Sequence, residues 1–172
     1  MMKKLLFTLV LALAALSVSA QNHFEYKGIP IDGKFVTMHG QLRRNGWVRD
    51  NNAAKLEADA WAYKNTENEN AGTLYIQRAA QSGVTACISI YDASCKDKSA
   101  AEQIMKARAN EVRSEYADAK ESVAENGEIK FEMANGSVVC SVICFEDGTF
   151  AAKTQYIDKE NYQIFVDELG SK

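Results

Sequence analysis

The chain has 172 residues, of which 20 are lysine or arginine and 23 are aspartate or glutamate, and its mean hydropathy is −0.29. A net charge of −3 argues against a nucleic-acid-binding protein, which needs a basic surface to replace the counterions of phosphate. One proline and ten glycines argue against a disordered or fibrous chain, and the length fits a single domain with a sizeable core.

The first 20 residues have the features of an export signal. Lys3 and Lys4 form a positive start, residues 5–16 form an apolar run, and residues 18–20 (Val-Ser-Ala) suit a cleavage site. A run of about 12 apolar residues is too short to cross a hydrocarbon core of about 30 Å. We therefore expect a mature single domain over residues 21–172, periplasmic or secreted, with no membrane span after signal cleavage.

The first half of this domain predicts one helix followed by strands. Residues 27–31 suit an edge strand, because Pro30 has no N–H to donate to a neighbouring strand. Asp32-Gly33 then turns the chain into a helix over residues 34–45, which Gly46 ends. Alternating side chains predict strands at 56–62, 73–79 and 84–91. The polar composition of residues 64–72 predicts a loop between the first two of these strands.

The second half predicts a long helix and an antiparallel meander. Residues 99–102 (Ser-Ala-Ala-Glu) have the spacing of a capping box, and the apolar stripe that follows predicts a helix to about Ala124. Arg108 interrupts this stripe, and its stem should lie along the sheet. Asn135-Gly136 suits a type I′ hairpin turn. Asp147-Gly148 suits a second turn. These two turns separate three predicted strands, near 129–133, 137–145 and 150–157.

A final helix is predicted from Asp158, its N-cap, to Gly170, with Tyr162, Phe165, Val166 and Leu169 on one apolar face. The element order is thus helix, strands, helix, three-strand meander, helix. This order predicts an α+β fold in which an antiparallel sheet carries helices on one face. Two successive units of a helix plus a meander suggest an architectural duplication, although the residues show no repeat.

Four cysteines in an exported chain are candidates for disulfide bonds. Cys140 and Cys144 share one predicted strand, which places their Cα atoms about 13 Å apart, beyond the reach of about 7 Å. Two bonds would therefore join Cys87 and Cys95 to Cys140 and Cys144, in either pairing. A single Cys87–Cys95 bond is the main alternative, and buried free thiols at Cys140 and Cys144 are another.

The search for catalytic motifs is negative. The chain has only His23 and His39, and it lacks metalloprotease, nucleophile-elbow, phosphate-loop and EF-hand spacings. Its many carboxylates include no pair whose local setting would separate the two pKa values, as glycoside hydrolysis requires. We therefore expect a protein that is not an enzyme and needs no cofactor.

The predicted mature N-terminus could bind a metal. Cleavage after Ala20 leaves Gln21-Asn22-His23, whose amine, backbone amides and imidazole can form the square-planar nitrogen set that Cu(II) or Ni(II) prefers. Cyclisation of Gln21 would remove the amine, and a frayed polar terminus is the simpler interpretation.

Three aromatic residues are candidates for a binding surface. Trp61 and Tyr63 lie opposite the small residues of their predicted strand, and Tyr75 lies on the more polar side of its own. If these sides face solvent, the aromatics form an amphipathic patch of the kind found in protein interfaces. The alternative is that they pack under a helix or under the loop at 64–72.

Residues 24–33 (F-E-Y-K-G-I-P-I-D-G) resemble the opening of a group of small exported proteins of Bacteroidota. In that group an F-x-K-G-I-P-I-D-G-like sequence follows the signal peptide. A short helix and a basic stretch come next, here residues 43–46 (R-R-N-G). Residues 56–64 (L-E-A-D-A-W-A-Y-K) are similar to its L-x-G-x-F-A-G-Y-K segment, with alanines for the glycines. The resemblance implies export and a compact α+β domain, and it implies no catalytic residues.

These observations favour an exported, non-enzymatic binding protein whose partner is a protein or glycan of the envelope or the exterior. An inhibitor of a secreted or periplasmic enzyme is the second hypothesis, because small cysteine-containing α+β domains suit that role. A hydrolase with a carboxylate-only site is the third, and it would need a deep pocket with two carboxylates of perturbed pKa.

Overall fold

A computed structural model describes residues 23–33, 35–57 and 60–171. The predicted signal segment and Gln21-Asn22 lie outside these residues. In chain order the described elements are β1 (Glu25–Tyr26), β2 (Ile29–Pro30), α1 (Phe35–Arg44), β3 (Trp47–Arg49), β4 (Ala60–Asn65), a 3-10 turn (Glu69–Ala71), β5 (Thr73–Arg78), β6 (Thr85–Tyr91), α2 (Lys98–Glu115), β7 (Lys120–Val123), β8 (Ile129–Glu132), β9 (Gly136–Cys144), β10 (Phe150–Asp158) and α3 (Lys159–Gly170).

The fold is α+β and centres on one antiparallel sheet. Eight strands pair in the order β3-β4-β5-β6-β10-β9-β8-β7, while β1 and β2 form a separate hairpin. The sheet consists of two four-stranded meanders whose last strands, β6 and β10, pair at its centre. Because α1 precedes the first meander and α2 the second, the chain contains two successive units of one helix and four strands, preceded by the β1–β2 hairpin and followed by α3.

The hydrophobic core lies on one side of the sheet, which we call the first face. α1 contributes Met38 and Leu42, both fully buried, and the N-terminal hairpin adds Tyr26 and Ile29. Full burial of each aliphatic side chain contributes roughly 1.5–3 kcal/mol. The other members of the cluster come from α2 and from alternate positions of the strands, including Met105, Ala109, Val112, Leu74, Ile76, Ile88, Ile90, Phe131, Val138 and Tyr156.

The long helix is shorter than its sequence pattern predicts. α2 begins after the N-cap Asp97, whose side chain accepts a hydrogen bond from the Ser99 N–H, and it ends at Glu115 rather than near Ala124. Tyr116 is its C-cap, with non-helical backbone angles (φ −120°, ψ 64°), and the Tyr116 hydroxyl donates to the Glu25 carbonyl at 2.8 Å. The next residues form β7 by pairing with β8, so the second meander has four strands instead of three.

The type I′ turn predicted at Asn135-Gly136 is absent there, because neither residue has a positive φ. Gly136 belongs to β9, and a Cβ on it would lie 2.3 Å from the Ile157 carbonyl oxygen. Two consecutive positive φ values occur instead at Lys27 (47°) and Gly28 (73°), where β1 turns into β2. The predicted edge strand at 27–31 is therefore a short hairpin.

α3 begins as predicted, with the Asp158 side chain accepting from the Asn161 N–H at 2.9 Å. It packs against β6, and Glu168 accepts from the backbone N–H groups of Gln81 and Ser82, in the turn that precedes this strand. The end of its apolar stripe stays in solvent, because Val166 and Leu169 are 43% and 53% exposed. Among the described residues, no helix is both long and apolar enough to cross a membrane.

Candidate binding groove

Two tyrosines form the floor of a depression on the second face of the sheet, opposite the core. Tyr75 and Tyr91 meet edge to face with ring centres 5.4 Å apart, and they are only 3% and 7% exposed. Strand register places both on this face, since Tyr75 pairs with Ala62 and Tyr91 pairs with Lys153. Burial raises the pKa of each phenol, so both hydroxyls remain hydrogen-bond donors at neutral pH.

Residues 50–57, which we call the covering loop, lie over this floor. The Tyr75 hydroxyl donates to the Ala54 carbonyl at 2.8 Å, and the Tyr91 hydroxyl donates to Glu57 at 2.7 Å. Lys153 of β10 also reaches the Glu57 carboxylate, at 2.6 Å. Since these contacts bury the polar ends of two tyrosines and a lysine in satisfied bonds, the covering loop is fixed to the sheet.

A groove of about 1200 Å³ opens beside the covering loop, at the end of the sheet where β4, β6 and β9 finish. Its walls are the covering loop, the segment around the 3-10 turn, and the hairpin that joins β9 to β10. Gly72 has a φ of 76°, and a Cβ there would lie 2.4 Å from the Tyr91 carbonyl oxygen. Glycine thus lets the second wall approach the floor closely. The charged wall residues are Asp50, Lys55, Lys64, Glu69, Glu146 and Asp147.

The groove carries more negative than positive charge. Its four wall carboxylates face two lysines, and a further acid, Asp92, is already neutralised by Arg108 at 2.6 Å. The Arg108 pair is bidentate, and its hydrogen bonds to Asp92 raise the pKa of the guanidinium. Hydrogen bonds from the Thr149 hydroxyl and N–H lower the pKa of Asp147. Asp147 at the hairpin tip is therefore ionised at neutral pH, and its carboxylate is hydrogen-bonded to Thr149.

Three carboxyl groups of the described residues have shifted pKa values, and all three shifts are downward. A general acid in a hydrolase needs a raised pKa. Within the part of the chain that the structure describes, each carboxyl group whose pKa is shifted has it lowered: Glu121 by Arg113, Glu132 by Lys130, and Asp147 by Thr149. These contacts stabilise the charged form of each of the three carboxyl groups.

The aromatic patch proposed from the sequence does not assemble. Tyr63 is fully buried on the first face, where its hydroxyl lies 3.0 Å from His39 Nδ1, and Trp61 packs edge to face against Phe35. Tyr75 lies on the second face, under the covering loop. The prediction of one surface was wrong because β4 turns its aromatics towards α1, whereas the neighbouring strand turns Tyr75 the other way.

All four cysteines are free thiols in the structure, so the predicted disulfides, crossed or single, are wrong. Cys87 and Cys140 are both fully buried, but strand register places them on opposite faces of the sheet. Cys87 instead donates to Gln77 and accepts from Gln155, and burial raises its pKa to about 12. Cys95 and Cys144 pair with Phe150 through the backbone on opposite edges of β10, so this strand lies between the two cysteines.

The metal site predicted at the mature N-terminus stays a prediction, because Gln21 and Asn22 lie outside the described residues. His23 is described, and its Nδ1 lies 3.2 Å from Asp158. A metal bound through this nitrogen would have to displace that contact. The described residues contain no cluster of three histidine, cysteine or acidic side chains placed to hold a metal ion.

Sequence reasoning missed how Glu57, Tyr91 and Lys153 come together. One signal was present, since Lys153 interrupts the strand-like run 150–157, and a lysine within a central strand needs a carboxylate partner. Nothing local indicates that the partner is Glu57, 96 positions earlier. That contact depends on how the covering loop folds over the sheet.

Comparison of the chain with protein-family models, with curated proteins and with solved structures finds no match.

Proposed function

We propose that the protein is a non-enzymatic binding module whose groove takes a positively charged segment of a partner polypeptide. The observation that carries this proposal is the open groove of about 1200 Å³, with its fixed tyrosine floor and its excess of carboxylates. A surface with excess negative charge attracts cationic partners and repels acidic ones.

The size of the groove favours a polypeptide over a small molecule. Pockets for small ligands usually have volumes of about 300–1,000 Å³ and enclose most of the ligand. This groove is larger and is partly open to solvent. Sugar recognition is less favoured, because Tyr75 and Tyr91 are nearly buried and expose little ring surface for stacking.

The partner would belong to the cell envelope or the exterior, since residues 1–20 have the features of an export signal. If the partner is a secreted or periplasmic enzyme, the protein acts as its inhibitor. This second hypothesis uses the same groove chemistry, so the identity of the partner distinguishes the two.

Selection from a library of short random peptides displayed on phage tests the proposal. The mature protein should enrich peptides rich in lysine and arginine. Reversing two exposed wall charges, in Glu69→Lys/Glu146→Lys, should abolish this enrichment. Asp118→Lys/Glu125→Lys is the matched control, because it makes the same charge change at exposed residues outside the groove. Enrichment that survives in the groove variant, or no enrichment by the wild type, would overturn the proposal.

A further inference from the structure

Two arginines are stacked on aromatic rings at the first face of the sheet, away from the groove floor. The Arg49 guanidinium carbon lies 3.6 Å from the centre of the Trp61 ring. The Arg78 guanidinium carbon lies 4.6 Å from the centre of Phe35 and 6.0 Å from that of Trp61. Phe35 and Trp61 themselves meet edge to face, with centres 4.4 Å apart. The four side chains form one continuous cluster.

The guanidinium groups keep hydrogen-bonding capacity for a ligand. Within the described part of the chain, arginine ion pairs involve Arg108 and Arg113 but neither Arg49 nor Arg78. Arg78 donates its Nε to the Gly83 carbonyl at 3.0 Å, and its two terminal nitrogens have no hydrogen-bond acceptor among the residues that the structure describes. Stacking on a ring uses the face of a guanidinium, and the N–H groups point outward in its plane.

We propose that Arg49, Arg78, Trp61 and Phe35 form a second binding site, which takes a carboxylate-bearing segment of an acidic polypeptide. We call this cluster the arginine–tryptophan site. Its ring-stacked guanidinium groups are oriented before binding, which reduces the entropy lost when a carboxylate accepts two parallel hydrogen bonds. Tryptophan and arginine are also the residues that contribute most often to protein interfaces.

The partly exposed aromatic rings favour a polypeptide over a free anion at this site. Phe35 and Trp61 are both half-buried, and a hydrated phosphate or sulfate would gain nothing by covering their remaining apolar surface. A peptide side chain next to the carboxylate would bury that surface. The charge of this site is opposite to that of the groove, and register places Trp61 on the other face from Tyr75. The site is therefore independent of the proposed groove function.

Titration of the mature protein with a glutamate-rich peptide that contains leucine tests the proposal, with side-chain ¹⁵Nε–H signals and tryptophan fluorescence as readouts. We expect saturable shifts of Arg49 and Arg78. Arg49→Gln should weaken the affinity about tenfold, and Arg49→Lys should restore part of it because the charge remains. Arg44→Gln is the matched control, since Arg44 is an exposed arginine outside the site, and it should change the affinity less than about twofold.

Three outcomes would overturn the proposal. The first is peptide binding that never saturates or leaves both arginine signals unmoved. The second is an equal loss of affinity in Arg44→Gln, which would indicate diffuse electrostatic attraction. The third is binding of inorganic phosphate as tight as that of the peptide, which would indicate a free-anion site. Peptide selection by the groove is measured separately, so failure here leaves that result standing.

Discussion

Lys153 Nζ lies 2.6 Å from Glu57 Oε1, and this contact joins the central strand β10 to the covering loop. The same carboxylate oxygen accepts the Tyr91 hydroxyl at 2.7 Å. Both charged side chains are mostly buried, with 15% of Lys153 and 11% of Glu57 exposed. One carboxylate therefore fixes the loop, orients the floor of the groove and balances a lysine on the second face.

Glu57→Gln should loosen the covering loop, because it leaves the Lys153 ammonium without a charge partner. We expect a loss of about 2 kcal/mol in the free energy of unfolding and faster hydrogen exchange around residues 50–57. Denaturant titration and exchange mass spectrometry measure the two effects. Glu69→Gln is the control and should change the stability by less than about 0.5 kcal/mol. Unchanged exchange in Glu57→Gln would show that the ion pair does not hold the loop.

Two glycines should respond oppositely to alanine. A Cβ at Gly136 would lie 2.3 Å from the Ile157 oxygen and 2.5 Å from Phe24 Cγ, so Gly136→Ala should destabilise the fold by about 3 kcal/mol. Gly40 lies in α1 with no atom within 4 Å of the added group, and Gly40→Ala should stabilise by about 0.5–1 kcal/mol. Thermal unfolding measures both. A neutral Gly136→Ala would contradict the close packing of β9 against β10 and the N-terminal segment.

The four thiols should differ in reactivity. Without reductant, we expect Cys144, which is exposed, to react first with a disulfide reagent such as DTNB and the half-buried Cys95 to follow. Cys87 and Cys140 should react only after unfolding. Titration in denaturant should then count four thiols per chain. A count below four would show that a disulfide forms and would contradict the assignment of four free thiols.

Stability should fall in alkaline solution because buried thiols resist ionisation. Burial raises the pKa of Cys87 from 9.0 to about 12 and that of Cys140 to about 11. Above about pH 9 the unfolded chain loses these protons first, so it binds fewer protons than the folded chain and the free energy of unfolding decreases with pH. Cys87→Ser should show a shallower decrease between about pH 8 and pH 10.5, whereas Cys144→Ser should follow the wild type. Parallel curves for Cys87→Ser and the wild type would contradict this assignment.

Local sequence patterns correctly predicted those helices and strands whose intrinsic preferences agree with the contacts they make in the fold. The β5 and β6 strands, the meander from β8 to β10 and the cap at Asp158 follow alternation and capping preferences that the sheet reinforces. The end of α2 could not be predicted in this way. An apolar helical stripe continues past Tyr116, but the Tyr116 hydroxyl binds the Glu25 carbonyl, and pairing with β8 draws residues 120–123 into the sheet.

The groove could not be predicted from local sequence patterns either, because it is formed by residues that are distant in the sequence. Tyr75 and Tyr91 are identified as strand residues by alternation, yet only long-range pairing decides that they share a face with Lys153. The covering loop has no regular secondary structure, and it is fixed by side-chain contacts to distant strands. Trp61 is the opposite case. Its alternating position in the sequence suggested a binding surface, but in the structure it packs against Phe35 of α1 and does not line the groove.

Capture of a natural partner tests the groove proposal most directly. The natively processed protein, the Glu69→Lys/Glu146→Lys variant and the Asp118→Lys/Glu125→Lys control would each be fixed on beads and exposed to envelope and culture-fluid fractions. We predict a partner that the wild type and the control retain and the groove variant loses, and that cross-links to the groove wall near Phe145. If this partner is an enzyme, its assay with added protein decides between an inhibitor and a binding module. Equal retention by the groove variant, or nothing retained above a heat-unfolded sample, would contradict the proposed function.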